Sequence, residues 1–569
     1  MFPALALALV FQGCTTKPVD EDSSIGISPA SVSFKSAAST EVLSMEASGN
    51  WTASSSASWL TVSPDKGTKD VTSVTLSASE NTDASAREAT VVFKIDNSGA
   101  SVTVDVSQEG ASATPEPEPE PEPQPYSGSV KNADDFLEMI KNPGMKASID
   151  ADIDLRGVDF TPSDFAADIE GNNHTITYEL SVPEGAAYNA GLFSSFTGTV
   201  KNLKVAGKLQ SGVPYTGGFA GIAEYDSQIE NVENSVVITV DTYGTAAFKL
   251  GGIVGLARTG VKISSCTNKG KIDNIMPGKD KARANQIGGI VGNAYAKVTL
   301  ENCTNDAQLT YSGTGTSRIG GMVGYIDDME EMLFDGCVNN GDIVVDVIAP
   351  SSGYQYVGGL TGYYGTNASS PVATATSTYR NCTNNGKVTV TGNAAGNTRS
   401  GGIAAYVSMT DSKANKVEGI NYSFTFEKCT NNGSVSTDGT GANNHLGGII
   451  GMAESVAGKV IVKDCVSNAP VSVAGSGYAG GILGLKGAPS SSFTGITVTK
   501  NVELTTGNAA ALITAGNSAY TTAVTGKVGS VKVNVGGASA VVTADNYKDV
   551  LFTAALGEGG STDGVTFGD

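Results

Sequence analysis

The sequence predicts an all-β protein: a small antiparallel β-sandwich, then, after a Pro/Glu linker, a right-handed parallel β-helix. Three observations predict it. Glycine is 71 of 569 residues, against a usual share of about 7%, and with abundant Ser, Thr, Asn and Val this marks many short strands joined by tight turns. Near the N-terminus, short runs of alternating apolar and polar residues are separated by turn residues. Beyond residue 128, a Gly-Gly block and a Cys-containing block recur in step.

The chain opens on an apolar run, residues 3–11 (PALALALVF). A spanning helix takes about 20 apolar residues, so this run is too short to be one. It suits the h-region of a signal peptide over residues 1–13. The run ends in Gln12-Gly13-Cys14, which resembles a bacterial lipobox. The resemblance implies lipid attachment at Cys14, which becomes the mature N-terminus and anchors the chain in the outer membrane. Residues 14–26 are then a lipidated tether. Its acidic run Asp20-Glu21-Asp22 resembles the surface-export signals of Bacteroidetes lipoproteins and implies a chain facing the cell exterior.

Residues 27–111 alternate in strand fashion, as in Val32-Ser-Phe34, Trp59-Leu-Thr-Val62 and Thr90-Val-Val-Phe93. Several short strands at this spacing predict an antiparallel sandwich. Trp51, Trp59-Leu-Thr-Val-Ser-Pro64 with Gly67, Arg87-x-Ala-Thr-Val-Val-Phe93 and Val104-x-Val-x-Gln108-x-Gly110 resemble the BACON domain, whose family name proposes carbohydrate binding. Trp51 and Trp59 are expected in the sandwich core, which leaves the domain the role of a spacer. Residues 112–127 contain PEPEPEPEPQP, an extended polyproline II linker that holds two domains apart.

Residues 128–569 carry the repeat. Gly217-Gly-Phe-Ala-Gly221, Gly251-Gly-Ile-Val-Gly255, Gly288-Gly-Ile-Val-Gly292, Gly320-Gly-Met-Val-Gly324 and four later copies start from 32 (Gly288 to Gly320) to 46 residues apart (Gly401 to Gly447). Between them stand Cys266-Thr-Asn-Lys-Gly, Cys303-Thr-Asn-Asp-Ala, Cys337-Val-Asn-Asn-Gly, Cys382-Thr-Asn-Asn-Gly, Cys429-Thr-Asn-Asn-Gly and Cys465-Val-Ser-Asn-Ala. In the earlier copies Leu203 or Val232 takes the Cys place. A position filled by Cys, Val or Leu is buried and apolar, not a ligand or a nucleophile. If each repeat is one coil, its strands pair in parallel with the coils above and below at about 4.8 Å. Equivalent residues then stack, and Asn234, Asn268, Asn305, Asn339, Asn384 and Asn431 form an amide ladder at a turn. In-register cysteines point the same way and stay reduced.

Gly-Gly-Ile-Val-Gly followed by such turns resembles the GLUG-motif family of bacterial surface β-helices. Residues 132–140 read as a short amphipathic helix with Asn132 as its N-cap and Phe136, Leu137 and Ile140 on one face. It covers the open end of the stack, and residues 505–569, which lack the repeat, cap the other end.

A net charge of −21 argues against nucleic acid and against a polybasic contact with anionic lipid. No CxxC occurs, and His174 and His445 are the only histidines, so no metal, cofactor or catalytic residue is assigned. Asp327, Asp328, Glu330 and Glu331 form the densest acidic run, read as a solvated loop; Lys279, Lys281 and Arg283 make a basic turn. Long insertions lie at residues 363–378 and 406–425. Tyr354, Tyr356, Tyr363, Tyr364 and Tyr379 gather around one coil, and the first four are the expected glycan contacts, because long loops on a rigid scaffold are where recognition sits. The function expected is that of a monomeric, non-catalytic surface lipoprotein whose β-helix serves adhesion or binds host or dietary glycans. The alternatives are a structural stalk without a specific ligand and a polysaccharide lyase or hydrolase.

Overall fold

The computed structural model describes residues 24–111, 128–240, 247–275, 284–327, 330–348, 353–365, 374–392, 397–409, 421–455, 458–486, 490–515, 523–553 and 560–568. Two compact units divide between residues 124 and 125. The apolar leader, Cys14, the acidic tether and the Pro/Glu linker lie outside the described residues.

In the first unit the longer strands bury alternate residues and so turn one face to the core, as Arg87–Ile95 does with Ala89, Val91, Phe93 and Ile95. One sheet takes Ile25–Ser28, Ser39–Ala47, Ser73–Ala78 and Leu60–Ser63 in that order, all antiparallel. The other takes Ser31–Phe34, Ser101–Gln108, Arg87–Ile95, Trp51–Ser55 and Lys66–Gly67. It departs once from the expected pattern: Ser31–Phe34 runs parallel to Ser101–Gln108, with Val32 opposite Val106. Leu43, Leu76, Trp51, Phe93 and Val104 are fully buried in its core. Trp51 Nε1 donates to the Thr68 carbonyl at 3.2 Å, so the indole is packed and satisfied. Gln108 is buried too; its Nε2 donates to the carbonyls of Lys35 and Ser79, each at 3.0 Å, and its Oε1 accepts from Arg87 Nε at 2.9 Å.

The second unit is a parallel β-helix with four walls. One coil shows the plan: wall one is Val298–Glu301, wall two is Thr304–Asn305 with Leu309–Gly313, wall three is Ser317–Gly320, and wall four is Val323–Asp327. The next coil begins at Glu331–Asp335. Among the described residues the walls stack into sheets of 12, 22, 9 and 10 strands respectively. Register is kept from coil to coil: Leu300 pairs with Phe334, Asn305 with Asn339 and Ile319 with Val357.

Entry from wall one into wall two uses one left-handed residue per coil. Asn231, Ser265, Asn302, Gly336, Asn381, Lys428 and Asp464 all have φ between 52° and 64°, a region that Asn and Gly enter most readily. The next residue in six coils is the cysteine. Cys266, Cys303, Cys337, Cys382, Cys429 and Cys465 are free and fully buried. Each thiol donates to a carbonyl of the preceding coil, as Cys303 does to Ile263 at 3.4 Å and Cys337 to Leu300 at 3.5 Å. Burial raises the thiols of Cys382 and Cys429 well above the usual cysteine range, so they remain protonated.

The helix spans Ala133–Lys141, and Asn132 Oδ1 caps it by accepting from Asp135 N at 3.0 Å. Its buried residues are Phe136 and Met139, while Leu137 and Ile140 are half-buried against the same core. Phe136 meets Phe160 edge-on at 5.7 Å, which seats the helix on the first coils. At the far end, the described part of residues 505–569 carries wall two further. Ala523–Val528 pairs in parallel with Ile496–Val498, and Lys532–Val535 with Glu503–Thr506. The antiparallel hairpin of Lys532–Val535 and Ala538–Val541 interrupts the pattern, and Ser561–Phe567 then pairs in parallel with Ala523–Val528.

Candidate functional site

The site begins with the Gly-Gly bend between walls three and four. A Cβ on Gly321 would stand 2.2 Å from the Gly359 carbonyl oxygen and 2.4 Å from Asn339 Cγ. The second glycine thus lies against the amide ladder, which ties the two repeated blocks together across the interior. A Cβ on Gly324 would stand 2.5 Å from Ile287 N and 2.8 Å from the Arg318 carbonyl oxygen. The third glycine therefore lets the backbone of wall four press directly on wall three.

That close approach brings two outward rows together. On wall three the residue two places before each Gly-Gly stacks in register: Tyr215, Lys249, Gln286, Arg318, Tyr356, Arg399, His445 and Tyr478. On wall four the matching row is Ile222, Leu256, Asn293, Tyr325, Tyr363, Tyr406, Met452 and Leu485. The rows pack on each other outside the interior cluster. Tyr356 meets Tyr363 edge-on at 4.7 Å and Tyr406 at 5.3 Å. Arg318 lies over Tyr325 at 4.1 Å and over Tyr363 at 4.6 Å. Arg399 lies over Tyr354 at 4.6 Å and donates from Nε to Met452 Sδ at 3.1 Å.

Burial sets the chemistry of this seam. It pushes the Tyr356 phenol up to about 12 and raises Tyr325, Tyr363 and Tyr406 as well, so these hydroxyls act as donors at neutral pH. Tyr325 donates to Asp327 at 3.0 Å and Tyr406 to Glu454. His445, beside Arg399 and 5.3 Å from the Tyr478 ring, is held neutral by burial and by the neighbouring guanidinium.

The expected tyrosine group divides. Tyr354 is 39% exposed, and Tyr356 and Tyr363 are half-buried in the seam. Tyr364 is fully buried, meeting Phe424 edge-on at 4.6 Å, so it is not a surface contact. Successive residues of a strand face opposite sides, and Tyr363 pointing out puts Tyr364 in. Tyr379 is interior as well, stacked between Phe334 and Phe426 at 4.5 and 4.7 Å. The seam also contains Tyr325, Tyr406, Arg318 and Arg399, which the sequence reading did not single out. Their signal was their fixed place beside each Gly-Gly block.

Elsewhere, Glu331 pairs with Lys297 at 2.8 Å and His174 with Asp152 at 3.2 Å. Asp328, the basic turn at Lys279, Lys281 and Arg283, and residues 366–373 and 410–420 of the two insertions lie outside the described residues. Among the described residues no three His, Cys, Asp or Glu gather in a metal-like group, and no helix is long and apolar enough to cross a membrane. In the first unit a cavity of about 620 Å³ is lined by polar and small residues such as Ser33, Ser56, Glu88, Thr90 and Asp105. No aromatic ring lines it. Trp51 is inside the core, and Arg87 covers the ring of half-buried Trp59 at 4.5 Å.

Comparison with curated proteins returns no match. Among solved structures, a Bacteroides ovatus GH5 xyloglucanase in complex with a XXXG heptasaccharide is 20% identical over 16% of this chain and 19% of its own, with a TM-score of 0.15. WR4, a C. elegans MSP family member, is 11% identical over 15% of this chain and 97% of its own, with a TM-score of 0.13. This chain thus spans about a fifth of the xyloglucanase chain. A family model described as the viral BACON domain matches residues 24–111. Residues 24–111 thus match the BACON domain family, and a parallel β-helix follows them in the chain.

Proposed function

We propose that this chain is a non-catalytic surface lipoprotein, anchored in the outer membrane through Cys14, that displays its β-helix to bind glycans. The observation that carries the reading is the seam of Tyr354, Tyr356, Tyr363 and Tyr406 with Arg318 and Arg399, a concentration of rigid amphipathic groups on the outer side of a stiff scaffold. The BACON domain, whose family name points to carbohydrate, and the Pro/Glu linker both suit display. Trp51 is enclosed in the core of the BACON domain and Arg87 lies over the ring of Trp59, which favours a spacer role for it. A second reading, a stalk with no specific ligand, draws support from the same rings, because they cover one another.

A glycan array probed with the full chain in detergent separates the two. Selective retention that is reduced by Tyr354→Ala supports binding, whereas uniform silence supports the stalk. Anchoring is tested independently. A fatty-acid probe fed to expressing cells should label the protein, and Cys14→Ala should abolish the label; a labelled mutant refutes the anchor.

A further inference from the structure

The wall-three row has a regular charge pattern. Its cations stand on every second rung: Lys249, Arg318 and Arg399, with Gln286 and Tyr356 between them. Rungs are about 4.8 Å apart, so positive charge recurs about every 10 Å along the helix axis. The neutral rung keeps like charges from direct stacking.

No carboxylate stands in this row, and no described carboxylate lies within ion-pair distance of the three cations, although the charge of Asp327 reaches Lys249 and Glu454 stands beside Tyr406 on the wall-four side of the seam. Lys249 rests over the Tyr215 ring at 4.5 Å. A guanidinium has five N–H donors, yet Arg318 donates to no acceptor among the described residues, and its Nε is buried without one. Arg399 donates to Met452 Sδ, and its Nη1 is buried without an acceptor. Meanwhile the ring faces of Tyr325 and Tyr363 are taken by Arg318, and Tyr354 is taken by Arg399. A neutral sugar therefore finds few open faces to stack on. Arg318 and Arg399 are only half-buried, and the part of each guanidinium that reaches solvent without an ion-pair partner suits carboxylate or sulfate oxygens, which guanidinium groups bind in pairs.

We infer that the seam binds an anionic glycan, a uronate-bearing or sulfated polysaccharide lying along the helix axis with its negative groups at Lys249, Arg318 and Arg399. This rests on the glycan-binding reading above and narrows it. The net charge of −21 opposes a polyanion at long range, but physiological salt screens that field beyond about 8 Å. Affinity is then decided locally, by the three cations of the row against Asp327 and Glu454 on the wall-four side.

The test is calorimetric titration of the full chain in detergent with polygalacturonate, heparin and neutral xyloglucan. The acidic polymers should bind more tightly than xyloglucan. Binding of polygalacturonate alone would identify uronate as the recognised group; binding of heparin would extend recognition to sulfate. Arg318→Gln with Arg399→Gln should weaken acidic binding roughly tenfold or more, since each lost charge-assisted pair is worth a comparable factor. The paired Lys variants should fall between wild type and the Gln pair, keeping the charge but losing the paired bonds and the stacking on the rings. If the Gln pair melts early, Lys249→Gln replaces it, with a several-fold loss expected. Unchanged acidic affinity in a well-folded Gln variant overturns the inference. Binding of xyloglucan only overturns it while sparing the glycan-binding reading, and binding of none of the three polymers overturns both.

Discussion

Asn339 donates from Nδ2 to Asn384 Oδ1 at 2.8 Å and accepts on Oδ1 from Asn305 Nδ2 at the same distance. The amide chain runs unbroken from Asn234 to Asn431, fully buried throughout. A second ladder stands beside it in solvent, where Asn385 donates to Asn340 at 2.8 Å and accepts from Asn432 at 2.9 Å.

The two ladders should respond differently to charge. Asn339→Asp removes two donations and sets a carboxylate against the Asn384 oxygen in a dry interior, at a cost of about 3–5 kcal/mol. Asn339→Ser leaves a smaller unsatisfied group and costs about 1–3 kcal/mol. Asn385→Asp, in water, should stay within about 1 kcal/mol of wild type. Denaturant midpoints measure all three, and equal losses at Asn339 and Asn385 would refute the distinction.

The cysteine column should be silent in the native state. A thiol reagent added to folded protein should leave Cys266, Cys303, Cys337, Cys382, Cys429 and Cys465 unmodified, because all six are fully buried and free. After denaturation all six should react. Failure of the denatured chain to react would mean that the thiols are paired.

The tyrosines of the seam should separate by burial. Tyr354→Ala, at a position 39% exposed, should shift the melting temperature little. Tyr356→Ala withdraws a ring that touches Tyr363, Tyr406 and Arg399, and should cost about 2 kcal/mol. Tyr364→Ala, in the interior, should cost about 3–5 kcal/mol. Thermal unfolding checks the order, and a Tyr354 loss as large as that of Tyr364 would contradict it.

His445 predicts a pH dependence. Burial and the Arg399 charge hold its pKa down to about 3, against an ordinary 6.5. The unfolded chain takes up the proton near pH 6.5 and the folded chain only near 3, so stability is full above pH 6.5 and declines as pH falls through that window. The loss should be on the order of 2–3 kcal/mol by about pH 4. His445→Gln should flatten this part of the stability–pH curve, since Gln286 already occupies an equivalent rung. An unchanged curve would mean that the ring titrates normally.

The sequence alone determined the repeat, the burial of the Cys column, the amide ladder, the capping helix and the BACON domain. A β-helix makes these legible because in-register stacking converts sequence periodicity directly into spatial columns. Tertiary structure decided what the outer surface carries. It separated Tyr363 from Tyr364, and it joined Arg318, Tyr356 and Arg399 on wall three to Tyr325, Tyr363 and Tyr406 on wall four. Periodicity identifies residues that recur one above another, but not which wall folds back onto which. That contact depends on how closely two backbones approach at the Gly-Gly bend, where the space left by Gly324 lets one row of side chains close over the other.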